Sequence, residues 1–259
     1  TLLVVLGVIK SHEEEAQDLD LDKVEIKKEI YDILPGIKIK SKEQLDKTTK
    51  ESDLTFLAFY FVKESKNSYI VANFLPGVSK KLEFLAEILL IDCDLDNNKD
   101  LSECKNNSKP EFYPKLFALI PPQYKVNPYT KKVATYSELR FTEESVSEQI
   151  IYNFISKHIT NKAIKLNSDN HKAMIGNPNM NKVLLFTNKP QSGLIFKGLS
   201  GFYYDRILFL EVYKDETNLI SQYNIKRYPT LLVLETLEED LETVREQPEI
   251  HEYSGNLKA

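Results

Sequence analysis

Apolar residues along this chain follow two different spacings, which alternate from one segment to the next. Near-continuous apolar, β-prone runs predict buried strands, and stripes spaced three and four residues apart predict amphipathic helices. Over residues 36–159 the predicted order is βαβαβαββα. The predicted strands are Gly36–Lys40, Leu54–Phe61, Leu89–Cys93, Leu116–Ile120 and Val133–Tyr136. The predicted helices begin at Ser41, follow the stripe from Val78 to Leu89, contain Leu101 and Cys104, and follow the stripe from Val146 to Ile159.

The same order begins again at residue 163. The predicted strands are Ala163–Leu166, Lys182–Thr187, Arg206–Tyr213, Thr230–Glu235 and His251–Ser254, with helices from Asp169, over Leu194–Phe202 and over Glu216–Tyr223. The charged segment Leu237–Pro248 separates the last two strands, and we interpret it as a solvated hairpin extension. Strands and helices mixed in this way, with short connections, are typical of an α/β protein.

The repeated order divides the chain into a leader and two domains. We assign residues 1–35 to an apolar leader and a charged linker with a marginal helix, 36–161 to the first domain and 162–259 to the second. The apolar run Leu2–Ile9 is far shorter than the ~20 residues needed to span a bilayer. It predicts the tail of a signal-peptide core, or the end of a membrane anchor that begins upstream of Thr1. The alternative is a buried strand.

Composition excludes several classes of function. A net charge of −5 gives no basic footprint for nucleic acid, and with 8 glycines the chain has no glycine-rich nucleotide loop. The four histidines are scattered singly, and two cysteines cannot form a four-cysteine zinc site. We therefore expect no metal and no small-molecule cofactor. No acid–base pair or nucleophile triad is visible, so we expect that the protein is not an enzyme.

Two short motifs carry a family resemblance. Tyr113-Pro114, and again Tyr223 to Val233 with its Tyr-Pro-Thr-Leu core, resemble the signature at the fourth strand of thioredoxin folds, most closely that of the protein disulfide isomerase family. Ile91 to Asp94 and Leu101 to Cys104 resemble the cysteine-containing elements of that family's catalytic domains. The resemblance covers roughly residues 36–259. It implies two tandem thioredoxin-like domains in which Pro114 and Pro229 follow cis peptide bonds.

The sequence departs from that family where the family's thiols would lie. After Phe59-Tyr60 comes Phe61-Val-Lys-Glu-Ser-Lys-Asn67, and the second copy has Phe186 to Gly193, neither containing cysteine. Dithiol exchange needs a low-pKa thiol and a resolving thiol, so we expect no redox activity. Cys93 and Cys104 match a structural pair of the family, which implies buried thiols or a local disulfide rather than reactive groups.

Two functions remain after redox chemistry is removed. In the first, the chain is a redox-inactive, disulfide-isomerase-like chaperone of the endoplasmic reticulum lumen or secretory pathway, binding polypeptide clients or a partner protein. Its candidate binding surface is Phe61, Tyr113 and Pro114 in one domain, and Tyr228 and Pro229 in the other. The alternative is an accessory subunit of a larger, membrane-anchored organellar assembly, and the thioredoxin-like part of a J-domain protein is a variant of either. The sequon at Asn106 is of a kind that arises by chance and carries little weight.

The end of the second copy differs from the end of the first. Tyr253-Ser-Gly255 matches the closing hairpin, after which only Asn256–Ala259 remain. Four residues make about one helical turn, too few to cover a sheet face. We therefore expect that the natural chain continues with a further helix or that a partner covers this face.

Overall fold

Two five-stranded mixed sheets follow one another along the chain. The computed structural model describes residues 25–105, 109–122, 135–176, 180–235 and 249–253. The apolar leader, the sequon at Asn106, the segment Leu237–Pro248 and the residues after Tyr253 lie outside this part of the chain, and the expectations made for them remain expectations. Within the described residues no helix combines the length and hydropathy needed to cross a bilayer.

The first sheet has the strand order β1-β3-β2-β4-β5. The first three of these run parallel, and β4 and β5 are each antiparallel to the strand before them in the sheet. The central strand is buried along its whole length, as its continuous apolar sequence predicts. The strands are β1 (Ile37–Ile39), β2 (Thr55–Phe61), β3 (Ala86–Asp92), β4 (Lys115–Ile120) and β5 (Ser137–Arg140).

Helices cover both faces of this sheet. They are α1 (Ile30–Ile33), α2 (Lys42–Glu51), α3 (Lys66–Lys81), α4 (Ser102–Lys105) and α5 (Glu148–Ser156). Side chains of α1, α3 and α5 share one buried cluster with strand residues such as Leu57 and Phe59. The opposite strand residues, among them Phe56 and Tyr60, pack in a second cluster with Leu45 of α2 and Cys104 of α4. The chain therefore has a core on each side of the sheet.

The predicted bounds of one helix of the first domain were wrong. The helix predicted over Val78–Leu89 begins earlier, at Lys66, and ends at Lys81, and residues from Ala86 onward belong to β3. Phe84 lies in the left-handed region with φ 62°, and this turns the chain out of the helix and into the strand.

The closing strand was predicted over Val133–Tyr136. Val133 and Ala134 lie outside the described residues, while Thr135 and Tyr136 precede β5, which is Ser137–Arg140. All four residues of β5 are exposed, so its sequence lacks the apolar alternation that marks a half-buried strand. Tyr136 instead packs its ring against Phe56 and donates its hydroxyl to the carbonyls of Ser52 and Leu54, at 2.8 and 2.9 Å.

The second sheet repeats the first in the order β10-β9-β7-β8-β6, with the same parallel and antiparallel pairings. Its elements lie within a few residues of those predicted, and α7 and β9 match the prediction residue for residue. They are β6 (Ile164–Lys165), α6 (His171–Ile175), β7 (Asn181–Thr187), α7 (Leu194–Phe202), β8 (Ile207–Tyr213), α8 (Thr217–Gln222), β9 (Thr230–Glu235) and β10 (Glu249–Glu252).

The first domain begins earlier than residue 36. Tyr31 and Leu34 are buried in its core, so the segment interpreted as a linker contributes to the packed fold. The sequence predicted only a marginal helix here, because the isoleucines around Tyr31 and Leu34 are interspersed with charged residues and form no continuous amphipathic stripe.

Helix α7 connects the two domains. A Cβ atom built on Gly198 would lie 2.9 Å from the Cα of Leu85, so only glycine allows the helix to approach the first domain this closely. The ring of Phe202 meets that of Phe84 edge to face, with centroids 5.7 Å apart. Lys162, at the start of the second domain, forms an ion pair with Asp53 at 3.1 Å.

Candidate functional site

The predicted binding residues lie at the carboxyl ends of the central strands. In each domain the turn before the first long helix faces the loop that leads into the antiparallel strand. The Tyr113–Pro114 and Tyr228–Pro229 peptide bonds are both cis. The two sites share this backbone arrangement, but they differ in which side chains reach the surface.

The turn of the first domain holds fixed charges in place of thiols. The backbone N–H of Lys63 donates to the carboxylate of Asp94 at 2.9 Å, and its ammonium group pairs with Asp92 at 3.2 Å. Glu64 forms an exposed ion pair with Lys28 at 3.1 Å. These groups can bind charge and hold the turn in place, but none of them can exchange a disulfide.

The loop before β4 is closed by contacts within the chain. The Ser65 hydroxyl donates to the carbonyl of Tyr113 at 2.9 Å, and the N–H of Tyr113 donates to the carbonyl of Pro110 at 3.2 Å. Tyr113 and Phe61 are only 2% and 4% exposed. The expectation that both line an exposed surface was therefore wrong, because both side chains are part of the core. Pro114 alone of the three is partly exposed.

The loop of the second domain is open. Tyr228 is half-buried, with its ring against the core beside Tyr223, and Pro229 is exposed. Thr230 donates its hydroxyl to the carbonyl of Arg227 at 2.8 Å, which holds the loop in shape. Within the described residues, neither the N–H nor the carbonyl of Tyr228 makes a hydrogen bond. Both backbone groups are available to a ligand.

The helices that start at the two turns account for part of this difference. The N-cap of α3 is Ser65, whose hydroxyl both accepts from the N–H of Ser68 and donates to Tyr113. The N-cap of α7 is Gly193, which has no side chain to make either bond. One serine therefore draws the cis-proline loop of the first domain inward, and the second domain lacks that connection.

A buried glutamate that no motif in the sequence marks lies beneath the turn of the second domain. Glu211 is 3% exposed and accepts hydrogen bonds from the hydroxyls of Ser192 and Tyr213 and from the amide of Asn161. Burial raises the pKa of Tyr213 to about 12, and the hydrogen bond to Glu211 adds to this shift. The phenol therefore stays protonated and can donate a hydrogen bond. A single glutamate inside the apolar run from Arg206 to Tyr213 was the signal available in the sequence.

The two cysteines lie beside the closed loop. Cys93 and Cys104 are joined in a disulfide whose Cα atoms are 5.4 Å apart, and both are buried. The carbonyl of Glu103 accepts from the Tyr113 hydroxyl at 3.3 Å and from the Lys115 ammonium group at 2.6 Å. The disulfide thus joins α4 to the residue that follows β3, and the Glu103 carbonyl connects α4 to the cis-proline loop. No cluster of three or more metal-ligating side chains occurs in the part of the chain that the structure describes.

The comparison with solved structures bears on the fold. The chain resembles ERdj5 form II with a TM-score of 0.54 and 10% identity, over 85% of this chain and 28% of that one. Both domains have the thioredoxin fold. The chain therefore consists of two tandem thioredoxin-like domains, as its sequence predicts, and spans about three tenths of the length of the ERdj5 chains that it matches.

Two further structures are similar to the chain at lower scores. Human ERp44 in its zinc-bound form has a TM-score of 0.36 and 12% identity, over 86% of this chain and 54% of that one. The first two thioredoxin domains of Naumovozyma dairenensis Eps1p have a TM-score of 0.33 and 10% identity, over 85% and 91%. No family model and no curated protein sequence matches the chain.

Proposed function

We propose that this protein binds polypeptide segments through the loop of the second domain at Tyr228 and Pro229, without redox chemistry. The observation that carries the proposal is the open backbone of Tyr228, next to an exposed proline and a half-buried aromatic ring. An extended polypeptide recognises such a place by adding main-chain hydrogen bonds at the end of a strand, with side-chain contacts supplying specificity.

The first domain has a different role in this proposal. Its loop is closed through Ser65 and Tyr113, and its turn carries charges that are paired within the chain. Helix α7, which begins at the second domain's turn, is docked against this domain through Gly198. The first domain therefore serves as a rigid support that fixes the helix next to the binding loop.

The absence of redox activity is part of the proposal. The chain has two cysteines, and both are in the Cys93–Cys104 disulfide. Neither turn contains a thiol that could attack a client disulfide. A structural disulfide of this kind persists in oxidising compartments, which supports placing the protein in the secretory pathway.

The proposal is tested with a reduced, alkylated and fluorescently labelled unfolded polypeptide as the client. We expect Tyr228→Ala to weaken binding at least fivefold in fluorescence anisotropy, because the ring that flanks the open backbone is lost. The matched control is Phe112→Ala, which removes an exposed aromatic residue beside the closed loop of the first domain and should leave binding unchanged. Equal binding by the wild type and Tyr228→Ala, or turnover in an insulin-reduction assay, would refute the proposal.

A further inference from the structure

A tyrosine from outside the sheet fills the core of the first domain near its turn. The ring of Tyr31 lies parallel to that of Phe61, with 4.7 Å between centroids and 3° between planes. Phe61 stacks in turn on Phe59 at 5.1 Å. Leu34 enters the same buried cluster three residues later. Phe61, which the sequence placed on a binding surface, is therefore covered by the chain's own Tyr31.

The backbone and polar groups of the segment that carries Tyr31 hold it only weakly to the domain. Helix α1 has four residues, and its N–H groups donate only to carbonyls of residues 27–29. Within the described residues, the backbone of Ile30–Leu34 makes no hydrogen bond to the backbone of any strand or other helix. Among the described residues, the polar contacts between this segment and the rest of the domain include the exposed Lys28–Glu64 ion pair and a 2.8 Å hydrogen bond from the Lys38 ammonium group to the Asp32 carbonyl. Isolated helices of this length are not stable, so the segment depends on its buried side chains.

The hydroxyl of Tyr31 does not fit its surroundings. Tyr31 is 3% exposed, and its hydroxyl oxygen has no hydrogen-bond partner among the residues that the structure describes. A buried hydroxyl that gives up its bonds to water without replacement is unfavourable, so phenylalanine would fill this position better. The ring matches the pocket and the hydroxyl does not, as expected of a ligand held by tethering rather than by tight complementarity.

We propose that the pocket under Tyr31 is a binding site for an aromatic residue of a partner polypeptide, and that residues 30–34 occupy it as a tethered pseudo-ligand. The pattern in the chain defines the partner's chemistry: an aromatic residue that stacks on Phe61, followed three positions later by a leucine. Tethering gives the pseudo-ligand a high effective concentration, so a free segment must fit better in order to displace it. A segment with phenylalanine in place of tyrosine meets that requirement.

This inference rests on the proposed function, because it supplies a second polypeptide site in the domain whose cis-proline loop is closed. The inference and the proposed function can fail separately. A client that binds through Tyr228 and does not respond to changes at Tyr31 would refute the pseudo-ligand and leave the proposed function standing. A client whose binding is unchanged by Tyr228→Ala but that still displaces residues 30–34 would refute the proposed function and leave the pseudo-ligand standing.

The test uses the full chain and a fluorescein-labelled peptide with the sequence of residues 28–36, in which phenylalanine replaces the tyrosine. We expect the Tyr31→Ala variant to bind this peptide at least tenfold more tightly than the wild type, because the internal competitor is lost. The matched control is Ile33→Ala on the same helix, since Ile33 is 79% exposed and contributes nothing to the pocket. It should bind the peptide as the wild type does. The same peptide with tyrosine restored should bind Tyr31→Ala less tightly, and with alanine at that position at least tenfold less tightly.

A second measurement keeps the inference testable if Tyr31→Ala does not fold. In hydrogen exchange on the wild type, the amides of residues 30–34 should exchange faster when the phenylalanine peptide is added in excess, because the segment is displaced. The Tyr31→Phe chain should resist this displacement, since its own ring then fits as well as the peptide's. Exchange that is unchanged by the peptide, or binding that is equal in the wild type and Tyr31→Ala, would overturn the inference.

Discussion

The ion pair between Lys162 and Asp53 offers the most direct test of how the two domains are held together. Its side chains are 4% and 9% exposed, and the Lys162 ammonium group also donates to the carbonyl of Pro122 at 2.9 Å and lies 4.9 Å from the ring centre of Tyr204. The substitution Lys162→Met keeps much of the aliphatic stem and removes the charge. It leaves the Asp53 carboxylate buried without this cation.

The expected loss follows from that burial. Removing one partner of a buried ion pair typically costs about 3–5 kcal/mol, because the remaining charge keeps its desolvation penalty and loses its compensation. An exposed pair contributes about 0–1 kcal/mol. Lys28→Met, which breaks the exposed pair with Glu64, is therefore the matched control and should change the free energy of unfolding by less than about 1 kcal/mol.

Urea denaturation followed by circular dichroism measures the free energy of unfolding of each variant. We expect Lys162→Met to lower it by about 3–5 kcal/mol. The double variant Asp53→Asn/Lys162→Met should recover part of the loss, since the buried negative charge that lost this cation is gone. A loss no larger than that of Lys28→Met would show that the contact between the domains does not depend on this pair, and would refute the reasoning.

Three further outcomes are expected. Glu211→Ala should lower the free energy of unfolding by about 3 kcal/mol in urea denaturation, because Ser192, Tyr213 and Asn161 lose a shared buried acceptor. A change below about 1 kcal/mol would contradict this. Reduction with dithiothreitol should lower the free energy of unfolding by about 2–3 kcal/mol, which is the chain-entropy value for a sequence separation of 11. Alkylated protein is the control, and unchanged stability would contradict this prediction. Burial raises the pKa of Tyr223 to about 12, so the stability it contributes is fully present below pH 10 and is lost as pH rises through about 12. Tyr223→Phe should lessen that alkaline loss in melting experiments, while Tyr253→Phe, at an exposed ring, should not.

How well each element could be predicted depended on how its residues are buried. Strands such as Leu54–Phe61 and Thr230–Glu235 are continuous apolar runs, and the structure has them as strands within one residue of the prediction. The edge strand Ser137–Arg140 is exposed at every position, so no hydrophobic period marks it. The first half of α3 escaped prediction because it begins with polar residues and because Pro76, which argues against a helix interior, separates it from the stripe that starts at Val78.

The candidate site was harder to predict than the fold. The Tyr-Pro motif located both loops, but exposure of the tyrosine depends on residues distant in sequence. Tyr113 is held by Ser65, 48 positions earlier, and Phe61 is covered by Tyr31, 30 positions earlier. Contacts of this kind have no local period, so patterning alone cannot show which of two similar motifs is open.

The two domains therefore share a fold, and a few side chains make their cis-proline loops differ. In the first domain the N-cap serine of α3 donates a hydrogen bond to the cis-proline loop, and Tyr31 covers Phe61. Both contacts close the carboxyl end of the central strand. In the second domain the N-cap of α7 is Gly193, and the loop stays open. The same helix α7 contacts the first domain through Gly198 and the Phe84–Phe202 ring pair. A polypeptide bound at Tyr228 would thus meet a loop whose supporting helix is fixed by the other domain, which lowers the ordering cost of binding.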